Sequence, residues 1–215
     1  MCGRYTMLVD GKELIPLFDI GFVAAQLPVP SKNISPTQQV LMVLQSDKEG
    51  QQGRHLVAAR WGLVAPFVKS ISEGPTPFNA RMETVSSNGL FRRAYASRRA
   101  IIPASGFYES HKPTRQPYYI TPPQGVFAFA GLYEWWKTPA GGFLLSTTII
   151  TRPAQGKLAE IHEREPLLLA PDLFADWLDP SRKGDQELLE TALAASTALS
   201  AATIIRKTKK FGFLP

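Results

Sequence analysis

Apolar runs of five to ten residues alternate along this chain with polar stretches rich in glycine and proline, and most of these runs favour strands. VLMVL from Val40 and HLVAARW from His55 flank the polar segment 47–54, DKEGQQGR, and predict a pair of strands joined by a loop. AIIPA from Ala100, PYYI from Pro117, VFAFAGLYEWW from Val126, LLSTTIIT from Leu144 and PLLLA from Pro166 are β-branched and aromatic runs of the same kind. Turn residues place further loops at 70–77 and 111–116. In SSNGLFRRAYASRR from Ser86, the residues Leu90, Phe91, Ala94 and Tyr95 recur at helical spacing, with Arg92, Arg93, Arg98 and Arg99 mostly off that stripe. Those arginines read either as a solvated helix face or as a basic surface beside a phosphate backbone. Short helices are expected at 11–18, 171–178 and 186–196. Strands follow one another without regular strand–helix alternation, so the pattern predicts an α+β fold: a single domain over 1–215, mostly antiparallel strands in a barrel-like sheet, with a few short helices.

Composition narrows the classes. Of 215 residues, 44% are hydrophobic and 20% charged, which excludes a disordered chain. Stretches such as GLVAPFV from Gly62 are far too short to span a bilayer, and Asp10, Lys12, Glu13 and Asp19 interrupt any secretory signal. The expectation is a cytoplasmic protein with no membrane partner, nucleoid-associated if bacterial. Lysine and arginine number 24 against 18 acids, a net charge of +6 that favours a polyanionic partner. The single cysteine excludes an internal disulfide framework and a multi-cysteine zinc site, and His55, His111 and His162 lie too far apart for a compact metal motif. No metal and no cofactor is expected. GxGxxG, GxxxxGK[ST] and GxSxG are absent.

That cysteine is Cys2, directly behind the initiator methionine. Methionine is normally trimmed before a small residue, which would leave Cys2 as a free 1,2-aminothiol. An α-amine of pKa about 7.8 is far more available as a nucleophile at neutral pH than a lysine of about 10.4. Against an aldehyde it forms an imine, and the thiol of the same residue can then close a five-membered thiazolidine with the advantage of an intramolecular step. Two other readings stand beside this one: an amide hydrolase whose terminal amine is the base for its own thiol, and a small buried hydrophobe.

MCGRYT at the start, RWGLVAPF from Arg60, FNARMET from Phe78, IIPASGFYE from Ile101, PYYI from Pro117, FAGLYEWW from Phe129 and IHEREP from Ile161 together resemble the SRAP family, named for SOS-response-associated peptidases. The resemblance runs from Cys2 to about residue 180; from about 181 onward it fades. It implies a protein that crosslinks covalently to abasic sites in single-stranded DNA, including at junctions with duplex, through a thiazolidine at Cys2. It also implies a monomer that shields the lesion, with weak lyase and autoprocessing peptidase activity accompanying the crosslink. Asn79 would sit beside the sugar, Glu109 would shuttle protons, and His162 would be the partner acid/base. Arg4 and Arg81 would grip the flanking phosphates. Trp61 and Pro36 match places where the family meets DNA, core packing being the other reading of each. Phe67 stands at another such position, where the family usually has tryptophan. Ser110 and Glu165 also depart from the family pattern, which carries tryptophan and methionine at those positions. His55 and His111 match no motif. A peptidase or amidohydrolase using the same cysteine, and a noncatalytic single-stranded DNA binder acting through charge, are the competing functions.

Overall fold

The computed structural model describes residues 3–212, so Cys2 lies outside the described residues. Its strands form two sheets. The larger contains β2 (Ile20–Val23), β4 (Gln39–Ser46), β5 (Gly53–Trp61), β7 (Arg99–Ala104), β10 (Phe127–Lys137), β11 (Phe143–Pro153) and β12 (Arg164–Pro166), with β6 (Asn79–Arg81) paired to β11 off the main path. Five of these strands close on themselves: β11 pairs β10, then β7, β4 and β5 follow in turn, and β5 returns to β11 in parallel through Ser146↔Arg60 and Thr147↔Trp61. This is the expected barrel-like sheet. Closure explains the unbroken apolar runs, because the lining strands have little solvent face left; all six residues of β7 are buried. Gly131 in β10 permits the tight approach, since a Cβ there would stand 1.9 Å from Ile102 Cδ1.

The second sheet is antiparallel, in the order β13 (Ile204–Lys207), β9 (Pro117–Thr121), β8 (Gly106–Ser110), β1 (Tyr5–Met7) and β3 (Ser31–Ile34). Aromatic rings join it to the barrel. Tyr5 of β1 meets Trp61 edge-on at 5.2 Å and Phe129 at 6.1 Å, while Phe107 of β8 meets Phe129 at 6.0 Å. A single apolar cluster draws on both sheets. Such T-shaped pairs add about 0.5–1.5 kcal/mol each beyond the area they bury.

The expected helices form at 11–14, continued by α1 (Ile15–Phe18), and at 171–173, continued by α4 (Phe174–Leu178). The helix expected at 186–196 runs on as α5 (Gln186–Ala201), with the Asp185 carboxylate capping Leu188 N–H at 2.9 Å. The arginine-rich helix α2 (Arg92–Ser97) is shorter than its stripe suggested, and the two arginines that follow it, Arg98 and Arg99, are not surface charges. Arg98 pairs with the buried Glu134 at 2.6 Å. Arg99, only 2% exposed, donates to five carbonyls, those of Tyr95, Ala96, Trp177, Asp179 and Arg182. It is the polar hub that docks α2 and α4 on β7. In the run from Pro166, regular pairing stops at the end of β12, and Leu167 to Leu169 continue as buried chain with one bridge, Leu168 to Phe129. Among the described residues no helix is long and apolar enough to cross a membrane.

Candidate active site

β8 lies between β1 and β9: β1 pairs with its start at Gly106 and Phe107, and β9 pairs with it through to Ser110. Tyr108 N–H donates to the Arg4 carbonyl at 2.9 Å, which lays Gly3 and Arg4 alongside the end of β8. There Glu109 is buried, and a cleft of about 560 Å³ opens over it, with Gly3, Arg4 and His162 in its walls. His162 arrives from the opposite direction. It ends α3 (Gly156–Ile161) in extended conformation, φ −149° and ψ 151°, and its Nδ1 accepts Arg164 N–H at 3.0 Å. In the neutral ring that acceptor role leaves the proton on Nε2, the atom that faces Glu109 Oε2 at 4.0 Å.

Burial sets the electrostatics of the pair. It pushes the Glu109 carboxyl up to about 7, against smaller opposing effects that include the Ser110 backbone and the charge of Lys112. It also lowers the His162 imidazole below its ordinary value, an effect to which Lys112 contributes. Near neutral pH, Glu109 is therefore about half protonated and His162 is mostly neutral. Glu109 can thus both take and release a proton, and His162 presents an Nε2–H donor toward it, a pairing suited to general acid–base chemistry.

Asn79 and Arg81 come from β6, which runs parallel to β11 through Ile149↔Asn79 and Thr151↔Arg81. Three residues make a weak strand by themselves; neighbours hold this one. The Phe78 carbonyl, just ahead of Asn79, accepts from Ile149 N–H at 3.1 Å and from the Trp61 indole Nε1–H at 2.8 Å. Beyond it, Arg164 donates to both carboxylate oxygens of Glu83, at 2.5 and 3.0 Å, and to the Thr151 carbonyl at 2.6 Å. Since β12 also pairs with β11 at Thr151, the Asn79 and His162 segments are fastened to the same stretch of β11 from its two sides.

The sequence candidates divide accordingly. Arg4, Glu109 and His162 share the cleft wall, and Asn79 and Arg81 lie on β6, with Asn79 partly buried and Arg81 exposed. Arg4 Nη1 donates to Asn33 Oδ1 at 2.9 Å. Of the two readings of Trp61 the core one holds: at 0% exposure it offers no ring face to a base, and its indole serves instead to place Phe78. Pro36, partly buried in the turn ahead of β4, and Phe67, 64% exposed, do not line the cleft. Glu165, where the family pattern has methionine, is buried against Arg152 at 2.5 Å and accepts from Ser200 Oγ at 3.0 Å. His55 stacks on Phe22 at 4.5 Å, and the His111 ring is bonded within its own turn to Thr114 at 2.8 Å. The sequence reading passed over Lys112, Arg115 and Phe211, which all line the cleft. The two cations follow Glu109 within a single turn, and that proximity was the available signal.

Residues 1–210 match the family model described as SOS response associated peptidase (SRAP). The abasic site processing protein YoqW of Bacillus subtilis is 36% identical over 90% of this chain and 86% of its own length. YoaM of the same organism, also an abasic site processing protein, is 38% identical over 84% and 80%. A crystal structure of a protein from Bacteroides thetaiotaomicron has the same fold, with a TM-score of 0.80 at 18% identity, covering 97% of this chain and 93% of that one. The chain belongs to the SOS response associated peptidase family.

Proposed function

We propose that this protein processes abasic sites by forming a covalent link to single-stranded DNA through Cys2. The observation that carries the reading is the pair of buried Glu109 and partly buried His162, 4.0 Å apart, in a cleft that Gly3, the residue after Cys2, helps to line. The similarity to abasic site processing proteins supports it.

The reaction starts from the hemiacetal sugar left by base loss. Glu109 in its carboxylate form takes the proton of the C1′ hydroxyl and returns it to O4′, while the His162 Nε2–H donates a hydrogen bond to the departing O4′, so the C1′–O4′ bond breaks and an aldehyde forms. With Met1 removed, the neutral Cys2 amine adds to C1′. Glu109 protonates the carbinolamine hydroxyl, which leaves as water, and the resulting iminium returns its N–H proton to the Glu109 carboxylate, giving the imine. The Cys2 sulfur then adds to C1′, the thiol proton passes to nitrogen, and the thiazolidine closes. Two reactants yield one adduct and one water. Asn79 donates its amide to the sugar oxygens, and Arg4 and Arg81 hold flanking phosphates as charge-assisted, forked donors. One copy of the chain carries every group invoked. Cleavage of the strand from the imine is a slow side path, because ring closure removes the imine.

The test is a denaturing gel of the protein with single-stranded DNA carrying one abasic site, beside undamaged DNA, a Cys2→Ala variant and an intact-mass measurement of the amino terminus. A shifted band limited to the wild type on damaged DNA is the expected result. No shift with Met1 removed would overturn the reading in favour of a Cys2-dependent peptidase, or of binding by charge alone.

A further inference from the structure

The active-site cleft has one wall that comes from the far end of the chain. After β13 pairs with β9 from Ile204↔Thr121 to Lys207↔Tyr118, Thr208 N–H donates to the Pro117 carbonyl at 3.0 Å, and Gln116 Nε2 donates to the Thr208 carbonyl at 2.9 Å. Four residues later, Gly212 takes φ +82° and lies so close to Asn33 that a Cβ would stand 3.3 Å from the Asn33 Cβ. Asn33 is the residue that accepts from Arg4. The tail is thus fixed at both ends of a short span, and Phe211 sits within that span. Its ring lies 5.6 Å from Tyr108 at 46°, and Tyr108 is a rigid backing, 1% exposed. Phe211 itself is partly exposed and lines the cleft that holds Arg4, Glu109 and His162. The family match ends at residue 210, one position short of this ring.

We propose that Phe211 is a stacking platform for a nucleobase next to the abasic sugar. The inference rests on the abasic-site reading and adds a binding residue to it. An abasic sugar has no base to hold, so a strand must be gripped through its phosphates and its neighbouring bases. The cleft supplies both kinds of contact. Arg4, Lys112 and Arg115 provide positive charge, and the exposed Lys209 precedes the ring along the tail. A flat apolar face set among cations matches single-stranded nucleic acid, whose bases stack while its phosphates are neutralised. Because every base has a π-face, the platform tolerates any flanking sequence.

The test uses full-length protein and labelled single-stranded oligonucleotides carrying a tetrahydrofuran abasic analogue, which binds but has no aldehyde to react. One oligonucleotide keeps the bases on both sides of the analogue; the other replaces both neighbours with base-free spacers. Phe211→Leu keeps apolar bulk without a π-face, and Phe211→Tyr keeps the face. On the first oligonucleotide, Phe211→Leu should bind about tenfold more weakly than wild type and Phe211→Tyr within about twofold of it. On the spacer oligonucleotide all three should bind alike. Equal binding of Phe211→Leu and wild type on the first strand overturns the inference. So does a tenfold loss that persists on the spacer strand, which would make the ring a packing element of the tail. Wild type that neither binds these strands nor crosslinks to a natural abasic site overturns the abasic-site reading itself, and this inference with it; crosslinking that is intact in wild type and unaffected in Phe211→Leu sinks this inference alone.

Discussion

Replacing Glu109 with glutamine should make the protein more stable as well as less active. Glu109 is 7% exposed, and burial moves its carboxyl from 4.5 to about 7. In the unfolded chain this group releases its proton near 4.5, whereas in the folded protein it keeps it until about 7. Across that window the folded state binds the extra proton, so stability falls as pH rises, and the loss is complete above the folded value. At about 1.4 kcal/mol for each tenfold, the full swing is about 3 kcal/mol. Glu109→Gln removes the swing and preserves the shape of the side chain. Urea unfolding of both proteins between pH 4 and 8, followed by the fluorescence of the buried Trp61 and Trp177, measures it directly. The stability difference between variant and wild type should shift toward the variant by about 3 kcal/mol from pH 4 to pH 8. Groups common to both proteins cancel in that difference; His162 is the near neighbour able to couple, and repeating the pair in a His162→Gln background checks it. Crosslinking by Glu109→Gln should slow about a hundredfold or more. A stability difference that stays flat across the pH range would refute the argument that burial has displaced this proton.

Arg99→Met should destabilise the fold by about 3–5 kcal/mol in urea, since five buried carbonyls lose a shared donor; a loss below about 1 kcal/mol would mean the hub is dispensable. Gly106→Ala would bring a Cβ to 2.6 Å from the Tyr119 hydroxyl and 2.7 Å from the Ile120 carbonyl, spreading β8 from β9. Its expected cost is about 1–3 kcal/mol, with slower crosslinking because Glu109 moves with its strand. Trp61→Phe removes the indole donor to Phe78 and should cost about 1–2 kcal/mol and slow crosslinking through Asn79. It should leave affinity for undamaged single-stranded DNA unchanged, and a fall in that affinity at full stability would restore the base-contact reading of Trp61.

The parts of the fold legible in the sequence are those whose runs carry their own reason to be strands. β4 and β5 are read directly because both faces of VLMVL are buried and the polar loop between the strands is short. β6 is not legible: Asn79–Arg81 is too short and too polar to be a strand alone, and it exists because β11 and the Trp61 indole hold its backbone. Trp61 itself was open to either reading because it ends a strand, and the buried positions of β5, Leu56, Ala59 and Trp61, do not keep the strict alternation that would have decided it. Arg98 and Arg99 read as surface because charge usually is; their position at the start of the buried run of β7, Arg99 being its first residue, is what sets them apart. For the site, the meeting of Glu109 with His162 was reachable only through resemblance, since nothing local in either segment points at the other. The cleft wall at Phe211 lay beyond that resemblance altogether.

The closed ring has uneven seams. β4 and β5 share eight registered pairs, from Gln39↔Arg60 to Ser46↔Gly53, while this hairpin joins the rest of the ring through one pair to β7, Val43↔Ile101, and two to β11, with three more to β2 outside the ring. A hairpin paired more densely within itself than to the rest of the ring is expected to open as a cooperative unit of its own. Its amides should exchange with solvent together, by a partial opening that needs less free energy than global unfolding, and its local turn lets it form early and dock late as the molecule folds. The opening has a reach beyond the hairpin, because Trp61 is its last residue. Each time the hairpin lifts away, the Phe78 carbonyl loses the indole and the strand bearing Asn79 loses one of its two anchors. The rate at which the barrel opens and recloses therefore sets an upper limit on how continuously the face bearing Asn79 stays assembled.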